Sequence, residues 1–234
     1  MQTPRIVLIF EFKVIDTPRI IFMKRFLFIL LFLAPLLVVS QTKIGLKFSP
    51  LIASSRIDLI SDTLDVESGG AALKFGLGLI VDHSFSDTYA FSTGLLIVPK
   101  RVNIDLRAEN DGTIPNAEEE YNLQYLQLPL TLKLFTNEVI PDMNIFFQVG
   151  GAVEFKIDDR PLEEEYVLID QFNPIDFVAS IGVGTEYRVG INTTLFGGFS
   201  FQRGLINVVN ETEPRDIDLK IRNTVFSIDF GIKF

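Results

Sequence analysis

Apolar residues recur at every second position in several segments of the chain. The last segment is the most regular: in residues 226–234, Phe and Ile alternate with Ser, Asp, Gly and Lys. Similar alternation occurs in 71–81, 144–156 and 176–188, and in weaker form in 43–48, 89–98, 121–135 and 191–202. A period of two is typical of a β-strand with one apolar face, and the helical period of 3.6 fits none of these segments well. The pattern predicts eight strands.

The connections between these strands are of two kinds. Four are long and polar, and they span residues 50–69, 103–120, 157–174 and 205–220. Three are short, at 82–87, 136–142 and 189–190. Outer-membrane barrels have short periplasmic turns and longer extracellular loops. The alternation of long and short connections predicts an all-β fold, a transmembrane antiparallel up-and-down β-barrel of eight strands with both ends of the chain on the periplasmic side.

The beginning of the sequence predicts export. Residues 23–40 start with Met-Lys-Arg, continue with an apolar run and end in Val-Val-Ser, the parts of a secretory signal peptide. The apolar run is too short for a transmembrane helix, which needs about 20 residues. We therefore assign 1–22 to a mis-called N-terminal extension, 23–40 to a cleaved signal peptide and 41–234 to the barrel domain. The expected location is the outer membrane of a Gram-negative bacterium.

Charge and cysteine content narrow the function further. Residues 41–234 hold 16 Lys+Arg against 28 Asp+Glu, a net charge of −12, which argues against binding of nucleic acid. The four long connections carry 20 of these acidic residues, which indicates a solvated outer surface or, alternatively, one that binds divalent cations or lipopolysaccharide. The absence of cysteine excludes disulfides and thiol catalysis. No cofactor is expected.

Charged residues also fall on the polar side of the predicted strands. The interior of an eight-stranded barrel is only wide enough for side chains to fill it, and isolated buried charges are costly. We therefore predict a network of paired charges in the lumen, with Lys133 facing Glu186 and Lys47 beside Asp229. The predicted members are Lys47, Lys74, Lys133, Glu154, Glu186, Arg188 and Asp229. Pro129 cannot donate a ladder hydrogen bond, so we expect a β-bulge there.

Four stretches of the sequence carry a resemblance to a known group. They are Ser40 to Lys47, the run Tyr-Leu-Gln-Leu-Pro at 125–129 with Lys133, residues 176–187, and the last strand. The chain resembles the PorT-like or "porin family" outer-membrane β-barrel proteins. This resemblance implies the barrel fold and the outer membrane. It also implies that Phe230, Ile232 and Phe234 form the signal read by the barrel assembly machinery, and it brings no catalytic residues.

Several function classes remain open to the sequence. An enzyme is not expected, since His83, the only histidine, falls in a predicted periplasmic turn. The alternatives are a narrow pore for small solutes and a soluble lipocalin-like barrel, which would turn its Phe and Leu residues inward. We expect a structural or interaction barrel that serves as a protein-secretion accessory. Its expected partners are outer-membrane lipid, lipopolysaccharide, the assembly machinery and components of a secretion system.

Overall fold

The computed structural model describes residues 42–60, 64–68, 70–108, 117–161, 169–212 and 218–234. These residues form eleven strands, numbered in chain order. The strands are β1 (Thr42–Ile60), β2 (Leu64–Ser68), β3 (Ala72–Ser84), β4 (Tyr89–Ala108), β5 (Ala117–Ile140), β6 (Met143–Pro161), β7 (Ile169–Phe172), β8 (Ile175–Arg188), β9 (Thr194–Gly204), β10 (Val209–Thr212) and β11 (Asp218–Lys233).

Eight of the strands close into a barrel. Each pairs antiparallel with two neighbours in the cyclic order β1, β3, β4, β5, β6, β8, β9 and β11. The ring closes between the first and last strands, where Phe48 lies opposite Phe230. The predicted eight-stranded antiparallel barrel is therefore confirmed. Closure leaves no free edge in this part of the sheet, and for that reason every backbone polar group there can be bonded within the protein.

The alternation seen in the sequence separates the outside of the barrel from its inside. On β3, Leu73, Phe75, Leu77 and Leu79 are all more than half exposed. Residues of the opposite parity point into the barrel, and Ile80 is buried. The same apolar belt continues around the other barrel strands. A soluble lipocalin-like barrel would face these residues inward, so that alternative is wrong.

The strands are longer than the sequence predicts. β1 extends to Ile60, β4 to Ala108 and β6 to Pro161, into segments that the polarity of the sequence predicts as loops. A strand that leaves the lipid can expose polar side chains to water on its outer face, so polarity alone does not end it. Where β3 ends, β2 takes its place beside the extended part of β4. Gly70 lies between β2 and β3, and its φ of 107° suits a residue without Cβ.

A small separate sheet covers one end of the lumen. β7 and β10 pair antiparallel, and the buried Ile169, Phe172, Val208 and Val209 come from these strands or the residue beside them. They belong to a buried cluster that we call the cap. Its remaining members, on the barrel strands, are Val102, Ile104, Tyr121, Leu123, Tyr125 and Ile221. The cap closes the lumen with apolar side chains.

The other end of the barrel carries the short turns. They lie at 85–88, 141–142 and 189–193, and Asp142 adopts a positive φ of 65° in the tightest of them. Thr42 and Phe234 lie at this end as well, next to the turns. Since short turns are periplasmic in outer-membrane barrels, this is the periplasmic end and the cap is extracellular.

The bulge predicted at Pro129 is absent. Pro129 pairs in register with Ala152 on β6, and on the β4 side the register is the same before and after it, because Thr93 pairs with Leu130 and Leu96 with Gln127. The β4–β5 ladder is interrupted beside the proline and resumes without a shift. The β5–β6 ladder shifts its register elsewhere, between Gln124 and Tyr125 and at two places after Phe135.

Two of the expectations concern residues outside the described part of the chain. The assignments of 1–22 and 23–40 fall there and remain predictions. Within the part that the structure describes, no helix is long and apolar enough to cross a membrane.

The outward belt predicts which substitutions the barrel tolerates. Ile181 lies near the middle of β8 and is 57% exposed on the outer face. We expect Ile181→Arg to destabilise the folded barrel by about 2–4 kcal/mol, because it places a charge at the middle of the bilayer. Ile191→Arg, in the periplasmic turn, is the control and should cost about 0–1 kcal/mol. Urea unfolding in lipid vesicles measures both, and equal costs would contradict the assignment of the belt.

Candidate functional site: the charged lumen

Four buried charges meet near the periplasmic end of the lumen. They are Asp82 on β3, Lys133 on β5, Glu186 on β8 and Lys233 on β11, each less than a tenth exposed. The Nζ atoms of Lys133 and Lys233 lie 2.7 Å and 2.6 Å from Oδ2 of Asp82. Lys233 also forms an ion pair with Glu186, and Lys133 Nζ lies 3.7 Å from Glu186 Oε1. With two charges of each sign, this periplasmic charge layer is electrically neutral.

Neighbouring side chains hold the layer in place. Ser92 Oγ donates a hydrogen bond of 2.5 Å to Asp82. Lys133 Nζ lies 5.0 Å from the ring centre of Phe146, and Lys233 Nζ lies 5.3 Å from that of Phe196. A lysine over an aromatic face gains a cation–π attraction that strengthens when water is excluded.

Two glycines make room for these rings. A Cβ at Gly184 would lie 2.6 Å from Cζ of Phe146, and one at Gly231 would lie 2.3 Å from Cζ of Phe196. Each phenyl ring therefore lies against a bare backbone position on a neighbouring strand. Gly184 and Gly231 thus allow two large rings into a narrow barrel.

A second ion pair lies deeper in the lumen. Lys47 Nζ is 2.8 Å from Asp229 Oδ2. Ser49 and Ser227 donate hydrogen bonds of 2.7 Å and 3.0 Å to Oδ1 of the same aspartate. Both carboxylate oxygens are therefore satisfied without solvent.

A third group, the outer charge group, lies towards the cap. It consists of Lys100, Glu154 and Asp176, and each side chain is about 1% exposed or less. Lys100 forms an ion pair with Glu154 and lies 3.8 Å from Asp176, while its Nζ lies 4.8 Å from the ring centre of Tyr125. Gln127 donates a 2.7 Å hydrogen bond to Glu154. The group therefore places two carboxylates around one lysine.

Little empty space remains between these groups. Two cavities, of about 40 Å³ and 20 Å³, lie along the lumen and share Lys47, Leu96, Gln127 and Gln202 in their walls. A cavity of about 10–15 Å³ holds a single water, so these cavities have room for a few waters only. The lumen is a polar core that is packed about as tightly as a protein interior.

The comparison with known families decides what kind of barrel this is. The family model for the outer membrane protein beta-barrel domain matches residues 39–210, most of the chain. The chain belongs to this family. It is an eight-stranded β-barrel protein of the outer membrane. Membership of the PorT-like group that the sequence resembles is not part of this match and stays a prediction.

Solved structures of outer-membrane proteins resemble the chain at low sequence identity. The outer-membrane barrel OprG of Pseudomonas aeruginosa is 13% identical, with a TM-score of 0.51, and the match covers 82% of this chain and 95% of OprG. Neisserial surface protein A is 12% identical, with a TM-score of 0.45, and the match covers 83% of this chain and 98% of that one. No curated protein sequence matches the chain.

The structure of this outer-membrane barrel brings together most of the predicted lumen residues. Lys47 lies beside Asp229, and Lys133 lies within 4 Å of Glu186. Glu154 pairs with Lys100. Lys74 stands apart and donates a 2.7 Å hydrogen bond to Asn122. Whether these contacts matter to function remains a prediction.

Arg188 does not join the network. Its side chain is 52% exposed at the periplasmic rim and forms an ion pair of 3.5 Å with the carboxylate of Asp142. The reason is its depth: parity alone directs Arg188 inward, but it is the last residue of β8, where the lumen opens to water.

Asp82 and Lys100 are central to the lumen and were missed by the sequence analysis. Asp82 was placed in a periplasmic turn and lies instead in β3, while Lys100 lies in the part of β4 beyond the predicted strand end. The signal was present in both cases, since each continues the inward parity of its strand. Asp176, the third missed residue, opens the inward parity of β8.

The residues of the predicted assembly signal face outward. Phe230 is 50% exposed and Phe234 is 59% exposed, with Ile232 between them on the same face. The backbone of Phe234 exchanges two hydrogen bonds with Ile44, of 2.8 Å and 3.1 Å, which joins the last strand to the first. Their role as a signal remains a prediction.

The neutral balance of the periplasmic charge layer predicts the outcome of a double-mutant cycle on Lys133 and Glu186. Lys133→Met or Glu186→Met alone leaves one uncompensated buried charge and should cost about 3–5 kcal/mol of the free energy of unfolding. The double variant leaves the neutral pair Asp82–Lys233, 2.6 Å apart, so much of the loss should be recovered. Urea unfolding of the refolded barrel measures the four proteins.

The control for this cycle is Asp142→Asn at the exposed rim pair. Asn tolerates the positive φ of Asp142, and an exposed ion pair contributes about 0–1 kcal/mol. If the two lumen substitutions lower the free energy of unfolding additively in the double variant, Lys133 and Glu186 are not energetically coupled.

Proposed function

We propose that this protein is a structural or interaction barrel that does not conduct solutes. The observation that supports the proposal most directly is the filling of the lumen. Three groups of paired charges occupy it from the periplasmic end outward, and the apolar cap covers the extracellular end. A solute crossing this path would have to break several buried ion pairs and displace the cap.

The narrow pore is the alternative that this arrangement disfavours. A water-filled pore exposes its lining charges to solvent, but here Lys233 and Glu154 are both 0% exposed. The cavities of about 40 Å³ and 20 Å³ are too small for a hydrated ion. The narrow interior of an eight-stranded barrel supports the same conclusion.

Catalysis is not part of the proposed function. The buried carboxylates of the lumen are engaged by lysines and are out of reach of a substrate. His83 lies at the periplasmic end, where its Nδ1 is 2.9 Å from Thr42 Oγ1. Among the described residues, no three His, Asp or Glu side chains converge in a way that could hold a metal ion.

The proposal also names the partners of the protein in export, assembly and secretion. We infer that the protein is exported through a cleaved signal peptide and inserted by the barrel assembly machinery, which reads Phe230, Ile232 and Phe234. The long extracellular extensions of β4 and β5 offer a surface for other envelope proteins, including components of a secretion system. A deletion strain tests this role: loss of protein export with unchanged uptake of small solutes would support it, and the reverse would favour the pore.

The closed lumen predicts the electrical behaviour of the purified protein. In planar bilayers we expect no steady conductance above that of the lipid, because breaking the buried ion pairs costs several kcal/mol each. Correct insertion is verified by the heat-dependent gel mobility of the folded barrel. Reproducible conductance steps from protein that passes this check would contradict the proposal.

A further inference from the structure

The barrel wall between β3 and β4 is paired along only part of its length. The β3–β4 ladder ends at the pair Leu77–Ile97, although both strands continue towards the extracellular end. Beyond this pair, residues 72–76 of β3 pair with β1 and residues 98–102 of β4 pair with β5, and in this part of the chain, all of it described by the structure, no rung joins the two segments. We call this unpaired stretch the seam.

Two features of the sequence explain why the ladder stops. Three residues beyond Leu77–Ile97, the same register would place Lys74 directly opposite Lys100. Like charges directly opposite each other destabilise an antiparallel pair. One rung earlier, Pro99 has no N–H to donate to the ladder. The sequence therefore disfavours pairing of β3 with β4 along the seam.

The side chain of Lys74 crosses the seam. Lys74 has the inward parity of β3, since the residues on either side of it are exposed on the outer face. Its partner Asn122 has the outward parity of β5, since the residues on either side of it are buried under the cap. Lys74 Nζ donates a 2.7 Å hydrogen bond to Asn122 Oδ1. Because β4 lies between β3 and β5, the side chain passes from the lumen side of the wall to its outer side.

The outer charge group lacks one positive charge. Its single lysine, Lys100, faces the two carboxylates of Glu154 and Asp176, so the group carries a net charge of −1. Both carboxylate oxygens of Asp176 are buried without a hydrogen-bond partner. A buried charge that is not compensated is costly. An inward Lys74 would give this group two lysines and two carboxylates, the composition of the periplasmic charge layer.

The lumen has room for part of this side chain. The cavity of about 20 Å³ is lined by Gly76, the next inward residue on β3, together with Lys47, Gln127 and Gln202. Since Gly76 has no side chain, the cavity lies open beside Lys74.

We propose that Lys74 is a switch with two positions. In the outward position it crosses the seam and donates to Asn122. In the inward position it pairs with Asp176 and neutralises the outer charge group. Its withdrawal from the seam also lets the β3–β4 ladder extend towards the extracellular end. The switch goes beyond the proposed function, because the cap and the periplasmic charge layer close the lumen in both positions.

A double-mutant cycle on Lys74 and Asp176 tests the inward position. In urea unfolding of the barrel in lipid vesicles, Lys74→Met should raise the unfolding equilibrium constant about tenfold or more, because a buried carboxylate loses its partner. Adding Asp176→Asn should recover most of this loss. Lys156→Met is the matched control, since Lys156 pairs with Asp159 at 2.5 Å, and its effect should simply add to that of Asp176→Asn. Additive effects of Lys74→Met and Asp176→Asn would overturn the proposal.

Hydrogen exchange of the folded barrel tests the movement independently of unfolding. Asn122→Leu removes the outward partner, so Lys74 should turn inward and the backbone amides of residues 73–76 should exchange about twofold to tenfold more slowly than in the wild type. Asp176→Asn removes the inward partner, and these amides should exchange at least as fast as in the wild type. The amides of residues 78–81, within the paired part of β3, are the internal control and should not change. Equal exchange of residues 73–76 in the wild type and Asn122→Leu would contradict the switch.

Discussion

The fold depends on the pairing of opposite charges inside a barrel that is too narrow to hold solvent around them. Eight strands enclose an interior that side chains must fill, and every second residue of each strand points into it. Where such a residue is charged, only a partner of opposite sign can compensate for the lost water. The periplasmic charge layer satisfies this condition with two lysines and two carboxylates contributed by four different strands.

The rest of the lumen follows from the same constraint. Gly184 and Gly231 admit the rings that lie beneath the lysines, and the serines around Asp229 supply the hydrogen bonds that water would otherwise make. The cap excludes water from the extracellular end. On the outside the constraint is reversed, since the bilayer requires apolar side chains on the face of each barrel strand that contacts lipid. One alternating sequence pattern therefore meets two opposite demands.

Much of this architecture could be predicted from the sequence because a period of two encodes which face of a strand is polar. The parity of Lys47, Lys133 and Glu186 placed them in the lumen correctly. Strand ends could not be predicted in the same way, since polar residues in β1 and β4 continue the ladder above the lipid. The extension of β4 contains Lys100, and at the periplasmic end β3 likewise continues past its predicted end to include Asp82, so both residues were absent from the predicted network. The cap was also beyond reach, because its members come from connections whose pairing depends on the closed barrel.

The most direct test of the closed lumen is the accessibility of a single thiol placed within it. The chain has no cysteine, so Ser180→Cys introduces a unique label at a buried wall of the central cavity. Asp87→Cys in the periplasmic turn and Asn210→Cys on the exposed side of β10 serve as controls. We expect a water-soluble, membrane-impermeant maleimide to label both controls rapidly and Ser180→Cys only after unfolding. Labelling of Ser180→Cys in the folded barrel at a rate similar to the controls would contradict the account.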